Sequence, residues 1–188
     1  MGVEPYKTHG FRPTLVEWRL KQRMRKHEFI FVSDMGDMWG DWVPKEWIER
    51  VLKTLRWKPD ASYFFLTKNP RRYREFRGLF TDNMVLGATI ETNRVYNLSR
   101  APTPKERFEE MSRMEWKHKA IVIEPILDFD SEFVSWIRKI QPETVHVGYD
   151  NYNCRLPEPR LSKTETLVEE LRQFTQVETR GLRKAWFE

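Results

Sequence analysis

Cysteine is almost missing: Cys154 is the only one in 188 residues. No internal disulfide can form, and no self-contained zinc ribbon or iron–sulfur site, which takes several clustered thiolate or imidazole ligands. Histidine is scarce as well, and His9, His27, His118 and His146 are scattered without metal spacing, so they read as structural. Long apolar runs are absent. The longest reach four to six residues, as in Phe29-Ile30-Phe31-Val32, against the ~20 needed to cross a bilayer. The opening MGVEPYKTHG has no apolar signal-peptide core, and these absences together predict a cytoplasmic protein with no membrane contact. Glutamine numbers four against 33 Lys and Arg, a weak thermophile leaning.

What is present is bulk. Apolar residues make up 39% and aromatics 14%, with eight Trp and twelve Phe. That is enough for a sizeable core despite 32% charge, which excludes wholesale disorder and predicts one domain over residues 1–188. The net charge of +5 is a modest attraction for nucleic acid.

Helical and strand patterns alternate to the end without a linker or a fixed-period repeat. A helix is predicted over 14–25, with Leu15, Val16, Leu20 and Met24 as its apolar set, then a buried-type strand over 29–32. Pro44 opens a helix whose Trp47, Ile48, Val51, Leu52 and Leu55 share a face, and 63–66 is a second strand. Asn69-Pro70 reads as an N-cap and first helical proline, with Tyr73 and Phe76 inward. A third strand spans 85–90. Thr103-Pro104-Lys105-Glu106 is a capping box for a helix carrying Phe108 and Met111. Strand four is 120–123, and Asp128 or Asp130 caps a helix with Phe133, Val134, Ile137 and Ile140. Strand five is 144–147, Ser162 to Glu165 is a second capping box, and a weak sixth strand covers 177–179.

Strands separated by helices run parallel. A closed eight-unit barrel takes ~250 residues, so the expected fold is α/β, a partial TIM-like parallel β/α barrel of five to six strands. The loop after the first strand, Ser33-Asp34-Met35-Gly36-Asp37, lacks the three-glycine dinucleotide fingerprint.

In parallel α/β folds the site forms at the carboxyl ends of the strands. The candidates there are Asp34 with Ser33 and Asp37, Thr67 and Lys68 with Asn69, Glu91 and Asn93 with Thr92 and Arg94, Glu124, and Asp150 with Asn151. Capping accounts for Asn69, Asp128 and Asp130. Glu91 and Glu124 adjoin apolar runs, so each needs an ion partner, Lys68 or Arg94 for instance, or a ligand. Lys68 suits a phosphate or carboxylate. Arg71, Arg72, Arg74 and Arg77, and separately Lys21, Arg23, Arg25 and Lys26, lie among aromatics; they read as a nucleic-acid surface or, more simply, as solvated helix faces.

Five segments in order, FVSDMGDMWGDWVPKEWIERVL, FFLTKNPRRYREF, LGATIETNR, VIEPILDFD and VHVGYDNYNCRLPEP, resemble the radical S-adenosylmethionine superfamily, in an uncharacterised phage-associated branch distantly similar to spore photoproduct lyase. The resemblance runs from about Phe11 to Trp186. It implies a four-iron four-sulfur cluster on a Cys-x3-Cys-x2-Cys loop, with S-adenosylmethionine on the open iron. This sequence has none of those cysteines and cannot bind the cluster alone. By motif order, the strand at Phe29 corresponds to the family's second, and the cluster loop would lie upstream of Met1. The resemblance further implies that Asp34, Thr67, Glu91 and Glu124 line the S-adenosylmethionine and substrate side, with Asp150 and Asn151 at its far edge.

Three functions follow as expectations. The first is the barrel body of a radical S-adenosylmethionine-type enzyme, inactive alone unless the cluster loop comes from upstream sequence or a partner. The second is a non-catalytic module for a nucleoside, nucleic acid or partner protein. The third is a magnesium-dependent hydrolase using Asp34, Asp37, Glu91, Glu124 or Asp150. The edge strand at 29–32 needs a cover, supplied by the 14–25 helix, a second copy of the chain, or a separate polypeptide. Cys154 has no identifiable base and reads as incidental.

Overall fold

The computed structural model describes residues 6–10 and 12–188. After two short helical turns, α1 (Tyr6–His9) and α2 (Glu17–Leu20), the chain alternates between strand and helix. The order is β1 (Phe29–Phe31), α3 (Lys45–Arg56), β2 (Ser62–Thr67), a 3₁₀ helix (Pro70–Leu79), β3 (Met84–Thr89), α4 (Pro104–Arg113), β4 (Lys119–Ile123), α5 (Phe133–Ile140), β5 (Thr144–Gly148), α6 (Leu161–Arg172) and β6 (Gln176–Arg180). The six strands form one sheet in sequence order, every neighbouring pair parallel. The sixth strand, weak in the sequence, is a full partner of β5 from Thr144↔Gln176 to Gly148↔Arg180.

Alternation sorts the strand residues onto two faces. Tyr63, Phe65, Met84, Leu86, Ile121, Ile123, Val145 and Val147 are buried under the helices with Ile48, Leu52, Met111, Ile137 and Leu171. The opposite phase carries Phe29, Phe31, Phe64, Val122 and His146, and this face is concave. Phe64 on β2 and His146 on β5 have ring centroids 6.4 Å apart, whereas three strand spacings in a flat sheet come to about 14 Å. The sheet is therefore curled into an open half-barrel. Small residues permit that curl: a Cβ on Gly87 would meet the Phe64 ring at 2.6 Å.

Trp39, fully buried in the loop after β1, packs edge-on against Phe65, Tyr73 and Phe76 at 5.6, 4.6 and 5.7 Å. This loop residue closes one end of the core and was not among the residues expected inside. The capping box at Thr103 forms in full: Thr103 Oγ1 accepts from the Glu106 amide, and the Glu106 carboxylate accepts from the Thr103 amide.

Several expected features differ. The helix predicted over 14–25 shrinks to the single turn α2, because Val16 at its start offers no capping oxygen and a short helix without full tertiary packing is marginal. It docks on α3 and the turn beyond, with Glu17 2.5 Å from Arg50 and the Lys58 ammonium donating to the Leu20 and Gln22 carbonyls. It does not cover β1. Asn69 does not cap the 3₁₀ helix; its amide donates to the Trp39 carbonyl and Asp41 at 2.9 Å. The Ser162 box is also unmade, since α6 begins at Leu161 with Arg160 at its cap position, two residues earlier than the box would place it, and Glu188 accepts from the Leu161 amide instead. Asp128 and Asp130 cap nothing by side chain; both pair with Arg94. Among the described residues no helix is long and apolar enough to cross a membrane.

Candidate functional site

The carboxyl ends of β1 to β4 are stitched by a line of polar contacts. Asp37, in the loop after β1, accepts from the Thr67 hydroxyl at 2.8 Å and the Lys68 amide at 3.0 Å through one oxygen. Its other oxygen accepts from the Trp39 amide at 2.9 Å. Thr67 is buried and its hydroxyl in turn accepts from the Asn69 amide at 2.8 Å. One carboxylate thus holds the loop after β1 to the end of β2.

The next link is ionic. Lys68 places its ammonium 2.6 Å from Glu91 Oε1, and Arg107 of α4 places its guanidinium 2.8 Å from Glu91 Oε2. Glu91 is buried. Burial by itself would raise its carboxyl, but Arg107 and Lys68 outweigh that and hold it below the ordinary value. The same burial pulls Arg107 below its ordinary value against the Coulombic support of Glu91, and Arg107 also donates to the Thr89 carbonyl at 2.6 Å. Glu91 is therefore a charged, doubly held anchor, as the sequence required of a carboxylate beside an apolar run. Lys68 is the expected partner. Arg94 is not: it belongs to Asp128 and Asp130. Arg107 was absent from the expected set, although Arg107 and Met111 are four residues apart and so share the inward face of α4.

Glu124 differs in being half-buried and free of any ion pair among the described residues. Its Oε1 accepts from the Asn151 amide at 2.9 Å, and its carboxyl lies over Gly148, where a Cβ would come within 2.9 Å of Glu124 Cδ. Glu124 Oε2 has no hydrogen-bond partner among the described residues and can accept a ligand donor. Lys68, with a side chain 38% exposed, keeps N–H donors beyond the one given to Glu91.

Three expected members stand apart from this line, two of them engaged elsewhere. Asp34 is exposed and stands outside the line of contacts, its place taken by Asp37. The Asn93 oxygen accepts from the Asp130 amide at 2.8 Å, which fixes a loop. Asp150 folds its own loop, accepting from the amides of Tyr152 at 3.0 Å and Cys154 at 2.5 Å; these bonds, led by that of Cys154, lower its carboxyl below the ordinary value. Cys154 is exposed, and desolvation followed by the Asp150 charge pushes its thiol up, away from the thiolate a nucleophile or metal ligand needs.

The carboxylates offered for magnesium do not converge: Asp37, Glu91, Glu124 and Asp150 each serve a different partner. Among the described residues no group of three or more His, Cys, Asp or Glu side chains could hold a metal ion. The basic cluster after β2 is likewise committed. Arg71 pairs with Asp41, Arg74 with Glu110 and Arg77 with Glu115, while Arg72 is buried against the carbonyls of Gly40 and Val43.

Comparison with known proteins yields no match among curated proteins and none among solved structures. A family model does match, over residues 4–137, a span that includes Asp37, Thr67, Lys68, Glu91, Arg107 and Glu124 and stops short of Asp150 and Asn151. On that match the chain belongs to DUF5131, a family described as protein of unknown function.

Proposed function

We propose that this chain is the barrel body of a radical S-adenosylmethionine-type enzyme, with S-adenosylmethionine lying across the carboxyl ends of β2, β3 and β4. What carries the reading is that two of these strand ends bear complementary groups, a half-exposed ammonium on Lys68 after β2 and, on Glu124 after β4, a half-buried carboxylate that keeps an unengaged oxygen among the described residues. An amino-acid zwitterion needs that combination: Lys68 donates to its carboxylate, and Glu124 accepts from its ammonium. The positive sulfonium of S-adenosylmethionine adds attraction to the Glu124 side. The half-barrel of six parallel strands and the ordered segments of the sequence support the same reading.

The iron–sulfur cluster does not fit these residues. Cys154 is the only thiol in the sequence, its own loop raises its pKa, and it follows β5 rather than a first strand. Thiolates for a cluster would have to come from another polypeptide or from sequence outside these 188 residues. This chain's own part is to bind and orient, with Asp37 and Glu91 holding the loops that carry the contacts.

Isothermal calorimetry with S-adenosylmethionine tests this reading. Binding is expected for the wild-type chain and a loss of about tenfold for Glu124→Gln, which keeps the acceptor for Asn151 but removes the charge. Absence of heat with the folded wild type overturns the proposal. Anaerobic incubation with iron and sulfide is expected to leave the chain colourless, and a stable brown cluster overturns the claim that the thiolates come from elsewhere.

A further inference from the structure

The two basic clusters of the sequence meet different fates. The arginines at 71–77 are paired or buried. The other cluster is not. Between Arg19 and Lys26 the chain carries five cations and no carboxylate in eight residues, as much charge as the net +5 of the whole chain. Arg19, Lys21, Arg23, Arg25 and Lys26 are all exposed, and none of them has an ion pair among the described residues. The backbone beneath them is pinned. The Lys58 ammonium donates to the Leu20 and Gln22 carbonyls at 2.9 and 2.7 Å, Glu28 accepts from the Arg25 amide at 2.8 Å, and the His27 amide donates to the Asp60 carbonyl at 2.7 Å. Met24 packs against the core, so the cations on either side of it stand on a fixed support.

The same contacts bring an aromatic ring to this surface. Trp57, beside Lys58 at the end of α3, is 87% exposed, and Arg56 next to it is exposed and has no ion pair among the described residues. An indole left so far in water adds little to the core. It stands instead in a surface groove of about 520 Å³ along α3, lined also by Glu46, Glu49, Arg50, Lys53 and Thr54. The two cations of the groove are taken by Glu49 and Glu17, so it offers room beside the ring and no pull on an anion. The pull comes from the cluster. With Arg56 it holds six unpaired cations, against the two carboxylates that the pinning contacts keep nearby, Glu28 and Asp60, a surplus of four positive charges.

We infer that this corner is a binding surface for single-stranded nucleic acid. The chemistry it recognises is a run of phosphates with an unpaired base. Cations spaced along a fixed segment neutralise successive phosphates, and an exposed indole flanked by cations stacks a base that no second strand holds. A duplex keeps its base faces covered and can use the cations alone. None of these contacts reads the sugar, so RNA and DNA serve alike. A membrane surface is the poorer fit, because an interfacial anchor joins its cations to a continuous apolar face, and the apolar residues within this cluster, Leu20 and Met24, are half-buried. The corner precedes β1 and β2, at the amino ends of the strands, whereas the candidate site lies at their carboxyl ends. The inference therefore stands apart from the S-adenosylmethionine reading.

Fluorescence anisotropy of a labelled single-stranded oligonucleotide, titrated with the full chain at several salt concentrations, decides it. Binding is expected at low salt. The logarithm of the binding constant is expected to fall against that of the salt concentration with a slope of about −3.5, five phosphates at about 0.7 each. Lys21→Gln combined with Arg23→Gln should flatten that slope by about 1.4. Trp57→Ala should weaken binding about tenfold with the slope unchanged, and Arg77→Gln, in the paired cluster, should change neither. All four residues are exposed, so circular dichroism is expected to stay that of the wild type; if the charge variant fails to fold, either substitution alone makes the test at half the change in slope. No binding by the wild type overturns the inference, as does binding that the cluster variants leave untouched. Equal affinity for a duplex, with Trp57→Ala silent, overturns the stacking role. Binding to phosphatidylserine vesicles with none to the oligonucleotide overturns the choice of nucleic acid and gives the surface to a membrane.

Discussion

Arg107 of α4 and Glu91 at the end of β3 form a buried ion pair at 2.8 Å, with the side chains 4% and 7% exposed. Lys68 completes the triad at 2.6 Å. Removing one partner of such a pair leaves an uncompensated buried charge, a cost of about 3–5 kcal/mol. Glu91→Gln is therefore expected to lower the unfolding free energy by that order in urea titrations, whereas Glu91→Leu combined with Arg107→Met loses much less. A Glu91→Gln variant as stable as the wild type would show the triad to be dispensable.

The pair also sets an acid limit. Arg107 and Lys68, outweighing burial, hold the Glu91 carboxyl below the ordinary 4.5, so the folded state takes up its proton later than the unfolded state does. This contribution is complete above the ordinary value and disappears as pH falls through the lowered one. Stability measured from pH 6 downward is expected to fall more steeply in the wild type than in the Leu/Met double variant. Parallel pH profiles would refute the assignment.

Lys119 gives the opposite test at high pH. It is buried at the start of β4, donates to the Met114 carbonyl at 3.2 Å, and is lowered from its ordinary 10.5 by desolvation. While both states are charged, folding bears the whole desolvation cost; as pH rises from the lowered value towards 10.5, the cost fades and stability gains. Lys119→Met is expected to stabilise the protein by about 1 kcal/mol near neutrality, with the advantage shrinking as the solution becomes alkaline. Denaturant midpoints at neutral and alkaline pH check both parts.

The inner surface of the curl allows a packing test. A Cβ at position 87 would sit 2.6 Å from the Phe64 ring and 2.9 Å from the Phe65 carbonyl oxygen. Gly87→Ala is thus expected to destabilise by about 1–3 kcal/mol. Adding Phe64→Leu removes the ring but not the carbonyl, so it should recover part of the loss; full recovery or none would place the clash on one neighbour alone.

The strands were readable because each is a short apolar run between turn residues, and their parallel order followed from the helices between them. The Thr103 box was readable because all of its contacts lie within four consecutive residues. What escaped depends on distant partners. Arg107 reads as one more helical cation until β3 supplies Glu91, and Trp39 sits in a loop with no periodicity to mark it as core. Asp34 and Asp37 look equivalent in sequence, and only the fold of the loop turns Asp37 onto Thr67. The Ser162 box failed for a related reason: Glu188, 27 residues from Leu161, supplies the acceptor instead.

Gly148 links the packing of the sheet to the candidate site. Added bulk there would press on Glu124 Cδ at 2.9 Å and on the Arg180 carbonyl oxygen of β6 at 3.1 Å. Glu124 is on a movable side chain and β6 is a paired backbone, so the carboxylate is the group that yields, and its bond with Asn151 at 2.9 Å goes with it. Gly148→Ala is expected to weaken S-adenosylmethionine binding while the protein stays folded, with a lowered midpoint. Because both changes act through one carboxylate, Gly148→Ala combined with Glu124→Gln should bind little worse than Glu124→Gln alone, whereas independent effects would add. Calorimetry on the wild type and the three variants completes the cycle. Additive losses would mean that Gly148 acts through the joint between β5 and β6 and not through Glu124.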